Sequence, residues 1–189
     1  MRDRIIDIIN DSIHIKERIL HEQIDNIIKA AKTIIASLKS GGKVLIFGNG
    51  GSAADAQHIA AEFVGRFQAE RKALPAISLN TNTSILTALS NDYGYEIVFS
   101  RQIEALARPG DVAIGISTSG KARNVLLAMK KAKEMGLKTI CLTGGSGGEL
   151  LKCAGLCFIV PSAVTARIQE AHITIGHIIC ELVENGLIK

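Results

Sequence analysis

Three side chains that can transfer protons or hold a metal ion, Asp55, His58 and Glu62, follow a glycine-rich turn with the sequence GNGGS at residues 48–52. Their spacing of i, i+3 and i+7 places them on one face of a helix. Glycine lets the backbone approach a ligand, and the free N–H groups at the start of a helix favour an anion. Taken alone, the glycine-rich sequence could be a tight turn without a ligand, and His58 and Glu62 could be an ordinary pair on a helix surface. Together, the two features indicate chemistry on a phosphorylated metabolite.

A second polar segment, STSG at residues 117–120, ends a predicted strand and leads into a helix that starts near Lys121. A serine that only caps a helix needs one hydroxyl group. Three adjacent hydroxyl groups and the N–H groups of the helix start can hold a phosphate. We therefore predict that this segment binds the phosphate group of a substrate.

The last predicted helix carries Gln169, Glu170, His172 and His177 within an apolar pattern. A histidine in such a helix is more often a hydrogen-bonded core residue than a catalyst. From spacing alone, both interpretations of His177 stay open.

Short apolar runs alternate with helical patterns after residue 42. Runs such as residues 112–116 are apolar throughout, which is typical of strands buried on both faces of a parallel sheet. The alternation predicts an α/β fold, a three-layer αβα sandwich on a five-stranded parallel sheet. The predicted strands cover residues 43–47, 75–79, 111–116, 138–142 and 156–160, and the predicted helices cover residues 52–67, 84–90, 95–107, 121–135, 149–154 and 166–185.

The loops at the carboxyl ends of the strands are the expected ligand-binding edge of such a sheet. They hold most of the serine, threonine, asparagine and glycine of the chain. These loops are residues 48–52, 80–84, 117–120 and 143–148.

The first forty residues form a separate feature. Apolar residues recur at helical spacing from Ile6 to Leu38, and no proline or glycine interrupts them before Gly41. This pattern predicts one long helix or two helices with a bend. Because such a segment is longer than one sheet face requires, we expect its apolar stripe to pack on a partner subunit as well. We therefore divide the single structural domain into an N-terminal helical oligomerisation arm, residues 1–40, and an α/β part, residues 41–189.

Composition excludes several classes of protein. The 189 residues are enough for one domain, with 47% hydrophobic residues, 21% charged residues and a net charge of +4. The basic residues are scattered over predicted helix surfaces without interleaved aromatic residues, which argues against a nucleic-acid partner. No apolar run approaches the roughly 18 residues of a membrane span, and no secretory signal is recognisable, so we expect a cytoplasmic protein without a membrane partner.

Two other cofactor interpretations are weaker. Gly48, Gly50 and Ala53 match the dinucleotide pattern G-x-G-x-x-A, but the next predicted strand lacks the acidic residue that would bind a ribose. The cysteines lie in apolar surroundings without a C-x-x-C pair, so we predict reduced core thiols rather than zinc ligands. They are Cys141, Cys153, Cys157 and Cys180.

Four strings occur in the chain in the order GNGGSAADAQHIAAE, SNDYGYEIVFSRQ, GISTSG and ARIQEAHITIGHIICELVE. Together they resemble the sugar-isomerase (SIS) domain family over nearly the whole chain, including the arm. The resemblance implies a flavodoxin-like SIS fold, a homotetramer with active sites at subunit interfaces, and zinc as the usual metal. It also implies an aldose–ketose isomerase that converts D-sedoheptulose 7-phosphate to D-glycero-D-manno-heptose 7-phosphate through an enediol(ate). That reaction would begin the synthesis of nucleotide-activated heptose for bacterial surface glycans such as the lipopolysaccharide core.

The resemblance also implies roles for individual residues. Glu62 would be the general base and His177 the opposing general acid/base, which suits the proton transfers of an isomerisation. The metal-binding positions match His58, Glu62, Gln169 and His177. The implied substrate-binding residues are Asn49, Gly50, Gly51, Ser52, Glu62, Asn91, Asp92, Ser117, Thr118, Ser119 and Gln169.

The chain departs from the family pattern at two positions. Ala122 stands where the family often has a further phosphate-binding serine, so Lys121 or backbone N–H groups would have to compensate. Ala166 stands where some members have aspartate. Both departures concern substrate binding and leave the acid/base pair, Glu62 and His177, intact.

Two other functions compete with the isomerase. A close relative within the family is a non-catalytic adaptor that binds the bacterial replication initiator, and it lacks the acid/base pair. The presence of both Glu62 and His177 here favours the enzyme. An isomerase or sensor for a different sugar phosphate is the remaining alternative.

The spacing of the metal-binding positions predicts a shared site. Gln169 and His177 are eight residues apart on one helix, about 12 Å along its axis and about 80° around it. Because zinc bonds are only about 2 Å long, two such side chains would barely meet at one ion. Either the helix is tilted so that both side chains reach inward from opposite ends of the site, or two subunits each supply part of it. We favour the second alternative, because the arm already indicates close association of subunits, and we expect His177 to reach the site from a different subunit than the one that supplies Glu62.

Overall fold

A computed structural model describes residues 1–188. Its centre is one sheet of five parallel strands in the order β2-β1-β3-β4-β5, which confirms the predicted α/β sandwich. Each observed strand lies within two residues of its predicted bounds. The strands are β1 (Val44–Gly48), β2 (Ala76–Ser78), β3 (Val112–Ser117), β4 (Lys138–Gly144) and β5 (Leu156–Val160).

Helices cover both faces of the sheet. Alternate residues of β1 explain the two layers, because Val44 and Ile46 belong to one core cluster while Leu45 and Phe47 belong to the other. The first face carries α1 (Arg2–Glu22), α2 (Ile24–Lys39), α3 (Gly51–Val64) and α8 (Thr165–Leu187), and the second carries α4 (Thr83–Tyr93), α5 (Val98–Leu106), α6 (Arg123–Glu134) and α7 (Leu150–Cys153).

The strand order reverses between β1 and β3, which pair along five residues. In open parallel sheets, a crevice forms at such a switch point because the loops leave the two strands toward opposite faces. The loop after β1 is the glycine-rich turn, and the loop after β3 is the STSG segment. The topology therefore brings the two predicted ligand-binding segments to one edge.

The N-terminal arm is two helices with a break at Gln23, whose φ of −121° and ψ of −2° interrupt the helical path. Helix α2 buries Ile27, Ala30, Ala31 and Ile34 in the first core cluster. Helix α1 buries only Ile15 and Ile19. Five other large apolar side chains of α1 are between 46% and 58% exposed: Ile5, Ile6, Ile9, Ile13 and Leu20.

The prediction of four reduced thiols is wrong for two of them, because Cys141 and Cys157 form a disulfide. These residues are register partners on the neighbouring strands β4 and β5, with Cα atoms 4.7 Å apart. Strand pairing, which the spacing of cysteines along the chain does not reveal, brings them together. Cys153 and Cys180 are free and buried, as predicted.

None of the helices within residues 1–188 has the length and apolar character needed to span a bilayer.

Candidate active site

Three polar side chains meet where α3 packs against α8, and we call them the acid/base cluster: His58, Glu62 and His177. The Nε2 atom of His58 lies 3.0 Å from Oε1 of Glu62 and 3.3 Å from Nε2 of His177. The two imidazole rings have centroids 4.9 Å apart at an edge-to-face angle of 66°. Residues separated by more than a hundred positions in the sequence thus form one compact group.

The acid/base cluster fits a metal ion. One ligand atom from each of His58, Glu62 and His177 lies within 4.8 Å of the others. Bonds of about 2.0–2.1 Å in a tetrahedral zinc site separate neighbouring ligand atoms by about 3.3 Å, close to the separations found here. Two imidazoles and one carboxylate are also a donor set that zinc accepts.

The position of His177 corrects the prediction that it comes from a different subunit than Glu62. Both residues belong to the same chain and to the same cluster. The prediction assumed that Gln169 and His177 must reach inward from one straight helix to a single point. Instead, α3 runs beside α8, so that His58 and Glu62 come to His177.

Asp55 lies one turn before His58 on α3, as the spacing predicted, and its Oδ2 atom is buried without a hydrogen-bond partner among the described residues. Burial raises the pKa of the Asp55 carboxyl to about 6, and the nearby His58 opposes that rise. Ile59 and Phe63, on the opposite face of α3, are buried in the core. Helix α3 therefore points its polar side toward the cluster and its apolar side toward the sheet.

The glycine-rich turn brings Gln169 close to the start of α3. A Cβ atom added to Gly51 would overlap the side-chain amide of Gln169, so only glycine allows this approach. Gly50 has a φ of +57°, a conformation that glycine adopts without strain. Ser52 is buried in the first turn of α3. Gln169 therefore lies over the start of α3, on the helix that carries His177.

Asn49 contacts residues that the sequence analysis missed. Its side-chain amide exchanges two hydrogen bonds of 2.9 Å with the amide of Asn124 on α6. The hydroxyl group of Tyr95 donates a third hydrogen bond to Asn49 Oδ1 at 3.2 Å. These bonds tie the glycine-rich turn to the second face of the sheet. Asn124 lies outside the four strings, so the sequence contained no signal for it, whereas Tyr95 lies within SNDYGYEIVFSRQ, which was the available signal for that residue.

A second polar region is a cavity of about 250 Å³ beyond β3, β4 and β5. We call it the phosphate cradle. It includes the predicted Thr118 and Ser119, whereas Ser117 is buried at the end of β3 and is not part of the lining. The lining residues are Thr118, Ser119, Lys121, Gly144, Gly145, Ser146, Ser162, Ala163, Thr165 and Ile168.

Backbone contacts shape the phosphate cradle. A Cβ atom at Gly120, whose φ is +64°, would overlap the carbonyl oxygen of Gly147 in the loop after β4. The N–H of Gly144 donates to the carbonyl of Thr118 at 3.0 Å. Two loops therefore touch backbone to backbone, and the hydroxyl-bearing residues Thr118, Ser119 and Ser146 line the cavity between them. Helix α8 begins at this cavity, with its positive dipole end facing it.

His172 anchors α8 beside the phosphate cradle. The residue is fully buried, and its Nε2 atom lies 3.1 Å from the carbonyl oxygen of Thr143, directly before the cradle loop. Nε2 must carry the proton, because a carbonyl only accepts. Burial lowers the pKa of His172 to about 4, although the hydrogen bond to Thr143 acts to raise it. This histidine is therefore a neutral core residue, whereas the side chain of His177 is only partly buried.

Asn91 and Asp92 are the two predicted site residues that the structure leaves apart. Both residues are exposed on α4. Their side chains bind each other, with Asn91 Nδ2 donating a hydrogen bond to Asp92 Oδ1 at 2.9 Å. Helix α4 has no buried residue. Tyr95, just after this helix, links the region to Asn49.

Comparisons with known proteins place the chain among sugar isomerase relatives. A family model described as the SIS domain matches residues 9–144. The phosphoheptose isomerase of Roseiflexus sp. (strain RS-1) is 56% identical over 185 residues, which cover 98% of this chain and 94% of the relative. The phosphoheptose isomerase of Aquifex aeolicus (strain VF5) is also 56% identical, over 184 residues that cover 97% and 96%.

Solved structures show the same likeness. A phosphoheptose isomerase from Neisseria gonorrhoeae matches with a TM-score of 0.92 at 42% identity, covering 97% of this chain and 98% of that one. One from Francisella tularensis matches with a TM-score of 0.93 at 37% identity, covering 97% of both chains. The sugar isomerase domain of an RpiR transcription factor from Sphaerobacter thermophilus, at 18% identity and a TM-score of 0.64, shares the fold alone.

Proposed function

This chain belongs to the SIS domain family, and we propose that it is a phosphoheptose isomerase that converts D-sedoheptulose 7-phosphate to D-glycero-D-manno-heptose 7-phosphate. Relatives of that name match it at more than half identity over nearly its full length. The observation that carries the proposal is the arrangement along α8. Thr165 lines the phosphate cradle, and His177 lies three turns later in the acid/base cluster. One helix therefore carries groups suited to both ends of a sugar phosphate.

The reaction moves a hydrogen between neighbouring carbons, and the acid/base cluster can do this. Glu62 takes a proton from C1 of the open-chain ketose, while His177 donates a proton to the oxygen on C2. The resulting enediol collapses when His177 accepts the proton of the C1 oxygen and Glu62 returns its proton to C2. The hydroxyls and N–H groups of the phosphate cradle hold the far end of the chain, which keeps C1 and C2 beside Glu62.

We propose that zinc occupies the acid/base cluster, held by His58, Glu62 and His177 with Gln169 as a further ligand. The support for the first three residues is the fit of their ligand atoms described above. Gln169 is included only because the resemblance implies it. When bound, the ion would supply stabilisation of negative charge on the substrate oxygens. Metal analysis of purified protein tests the assignment: we expect about one zinc per chain, and about tenfold weaker zinc binding after the His58→Gln substitution. Unchanged zinc content in that variant would exclude this site.

The remaining predicted site residues belong to the same proposal. We assign the substrate's sugar chain to the glycine-rich turn and to the exposed pair on α4, and its phosphate to the phosphate cradle. The residues assigned to the sugar chain are Asn49, Gly50, Gly51, Ser52, Asn91 and Asp92. The residues assigned to the phosphate are Thr118 and Ser119, which line the phosphate cradle, and Ser117, which lies directly before them at the end of β3.

We also propose a homotetramer built through the arm, residues 1–40. The support is the row of exposed apolar side chains on α1 and an apolar groove of about 330 Å³ between α1, α2 and α8. Contiguous exposed apolar side chains of this kind are typical of protein–protein contact surfaces. Sedimentation equilibrium gives the test, with four times the 20.1 kDa chain mass expected. A stable monomer at micromolar concentration would contradict the proposal.

A direct assay tests the function. Purified protein is incubated with D-sedoheptulose 7-phosphate in D₂O, and the products are followed by NMR. We expect an aldose 7-phosphate with deuterium at C2, because the proton carried by Glu62 exchanges with solvent. The Glu62→Gln protein, which keeps the shape and hydrogen bonding of the side chain, is the matched control. Absence of aldose product from a folded, metal-loaded wild-type protein would reject the proposed function and favour the adaptor or sensor alternatives.

A further inference from the structure

Two ion pairs with buried carboxylates tie distant parts of this chain together, and one of them lies behind the acid/base cluster. The Nε atom of Arg71 donates to Oε2 of Glu184 at 2.9 Å, and the two side chains are only 6% and 2% exposed. Arg71 lies in the segment after α3, and Glu184 lies on α8, two turns beyond His177. The pair therefore joins the two helices that form the cluster.

Glu184 organises the segment after α3 through backbone hydrogen bonds. Its carboxylate accepts the N–H of Phe67 at 2.9 Å and the N–H groups of Gln68 and Ala69 at 2.8 Å. Burial by itself would raise the pKa of Glu184. The three N–H donors and Arg71 lower it to about 2, so the carboxylate is charged at neutral pH.

Arg71 closes the carboxyl end of α3. Its guanidinium donates to the carbonyl oxygen of Glu62 at 2.8 Å, of Phe63 at 2.9 Å and of Gly65 at 3.1 Å. The last carbonyl groups of a helix lack partners within the helix, and a cation there also suits the helix dipole. Arg71 thus holds the backbone of Glu62.

Phe67 extends the same network to the other proton-transfer group. Its N–H is held by Glu184, and its ring lies against the imidazole of His177, with centroids 5.6 Å apart. His177 is therefore packed between the rings of Phe67 and His58. The ion pair therefore contacts the backbone of Glu62 through Arg71 and holds Phe67, the neighbour of His177, through Glu184.

We propose that Arg71 and Glu184 are positioning residues of the isomerase, which set the distance and angle between Glu62 and His177 through the end of α3 and the ring of Phe67. The proposal rests on the function proposed above. Proton transfer and metal binding both depend on small displacements, so an imperfect network lowers turnover while the fold persists. A pair with only a structural role would change stability alone.

The second ion pair supplies a matched control. Asp111 accepts the Nζ of Lys43 at 2.6 Å, the N–H of Lys43 at 2.9 Å and the N–H of Arg108 at 2.8 Å. This pair resembles the first in having one cation and backbone N–H groups, here two, around a carboxylate that is 3% exposed, although its cation Lys43 is 20% exposed. It lies before β1 and β3, at the edge of the sheet opposite the site.

The experiment compares Glu184→Gln and Arg71→Lys with Asp111→Asn, assayed well below the melting temperature of each variant. We expect all three to melt earlier than the wild type. Only the first two should lose about tenfold in kcat, with KM within about twofold, and should bind zinc about tenfold more weakly. Wild-type kcat and zinc affinity in folded Glu184→Gln and Arg71→Lys proteins would overturn the proposal, as would an equal loss of kcat in Asp111→Asn.

Phe67→Leu provides a second variant that leaves both charges and the N–H of residue 67 in place. NMR of histidine-labelled protein should show the ring protons of His177 shifted, because the ring current of Phe67 is gone, together with a severalfold loss of kcat. Glu184→Gln should shift the same protons. Unshifted His177 signals in Phe67→Leu would overturn the proposal even if the ion-pair variants fail to fold. Zinc affinity and the His177 signals do not require turnover, so they decide this inference separately from the proposed function.

Discussion

The acid/base cluster and the phosphate cradle share α8 but are built in opposite ways. The cluster consists of side chains on two packed helices, supported from behind by buried charged groups such as Glu184. The cradle consists of loops whose backbones touch at Gly120 and Gly147, with small hydroxyl side chains at the surface. Proton transfer needs side chains held at fixed distances, whereas a phosphate can be held by many N–H and hydroxyl donors. The difference predicts that changes in the cluster affect kcat and changes in the cradle affect KM.

The largest effect should come from the acid/base cluster. Replacing Glu62 with Gln removes the basic carboxylate, so we expect kcat to fall at least about 10²-fold. Binding of a phosphorylated sugar should persist, because the phosphate cradle is intact. Steady-state kinetics measure kcat, and calorimetry measures the binding of the sugar phosphate. A kcat near that of the wild type would show that Glu62 is not the base.

A backbone change should break the phosphate cradle. In Gly120→Ala the new methyl group would overlap the carbonyl of Gly147 and force the two loops apart. We expect KM, and the dissociation constant for inorganic phosphate, to rise about tenfold with kcat nearly unchanged.

Gly110→Ala is the matched control for Gly120→Ala. Gly110 also has a positive φ, of +93°, but no atom lies within 4 Å of an added Cβ. Equal KM changes in the two variants would mean that backbone strain alone, rather than separation of the cradle loops, causes the effect.

A smaller effect should come from Lys121, which lines the phosphate cradle with an exposed side chain next to Ala122. Lys121→Met should raise KM about threefold at low ionic strength and hardly at all in high salt, since exposed charges are screened. Lys130→Met, an exposed lysine further along α6, serves as the control. A salt-independent KM difference would show that the charge of Lys121 does not compensate for Ala122.

The smallest effect on catalysis should come from His172, which joins the two regions by its bond to Thr143. The pKa of His172 is about 4 in the folded chain and 6.5 in the unfolded chain, so the unfolded state takes up the proton first as pH falls. The stabilisation from the neutral ring is therefore present above pH 6.5 and lost as the pH falls toward 4. In His172→Gln, the urea concentration at half unfolding should fall less than in the wild type as the pH is lowered from 6.5 to 4. Most of kcat at pH 7 should remain. An unchanged decline would contradict this assignment.

Much of the fold follows from local patterns. Short, mainly apolar runs predicted all five strands. The signal is clearest in β1 and β3, which are buried at every position, as strands covered on both faces are. Helical spacing predicted that His58 and Glu62 share a face, and glycines marked the turn after β1. These inferences succeed because their physical causes act within about ten residues.

What the sequence analysis got wrong or did not find depended on pairing between distant segments. The disulfide between Cys141 and Cys157 follows from the register of β4 against β5. The partnership of Arg71 with Glu184, about which the sequence analysis made no prediction, joins residues separated by 113 positions. The arm is two helices with a bend, one of the two predicted alternatives, but neither a proline nor a glycine marks the position of the break at Gln23.

By itself, the sequence determined the α/β class, the order of the strands along the chain, the position of the glycine-rich turn and the chemical types of the candidate site residues. These properties depend on side-chain polarity and on backbone preferences, which are local. The tertiary structure alone decided that His177 meets His58 and Glu62 within one chain, because the packing of α3 against α8 sets that 3.3 Å approach. It also decided that His172 is a core residue, since only the packed helix shows which of two histidines on α8 is fully buried.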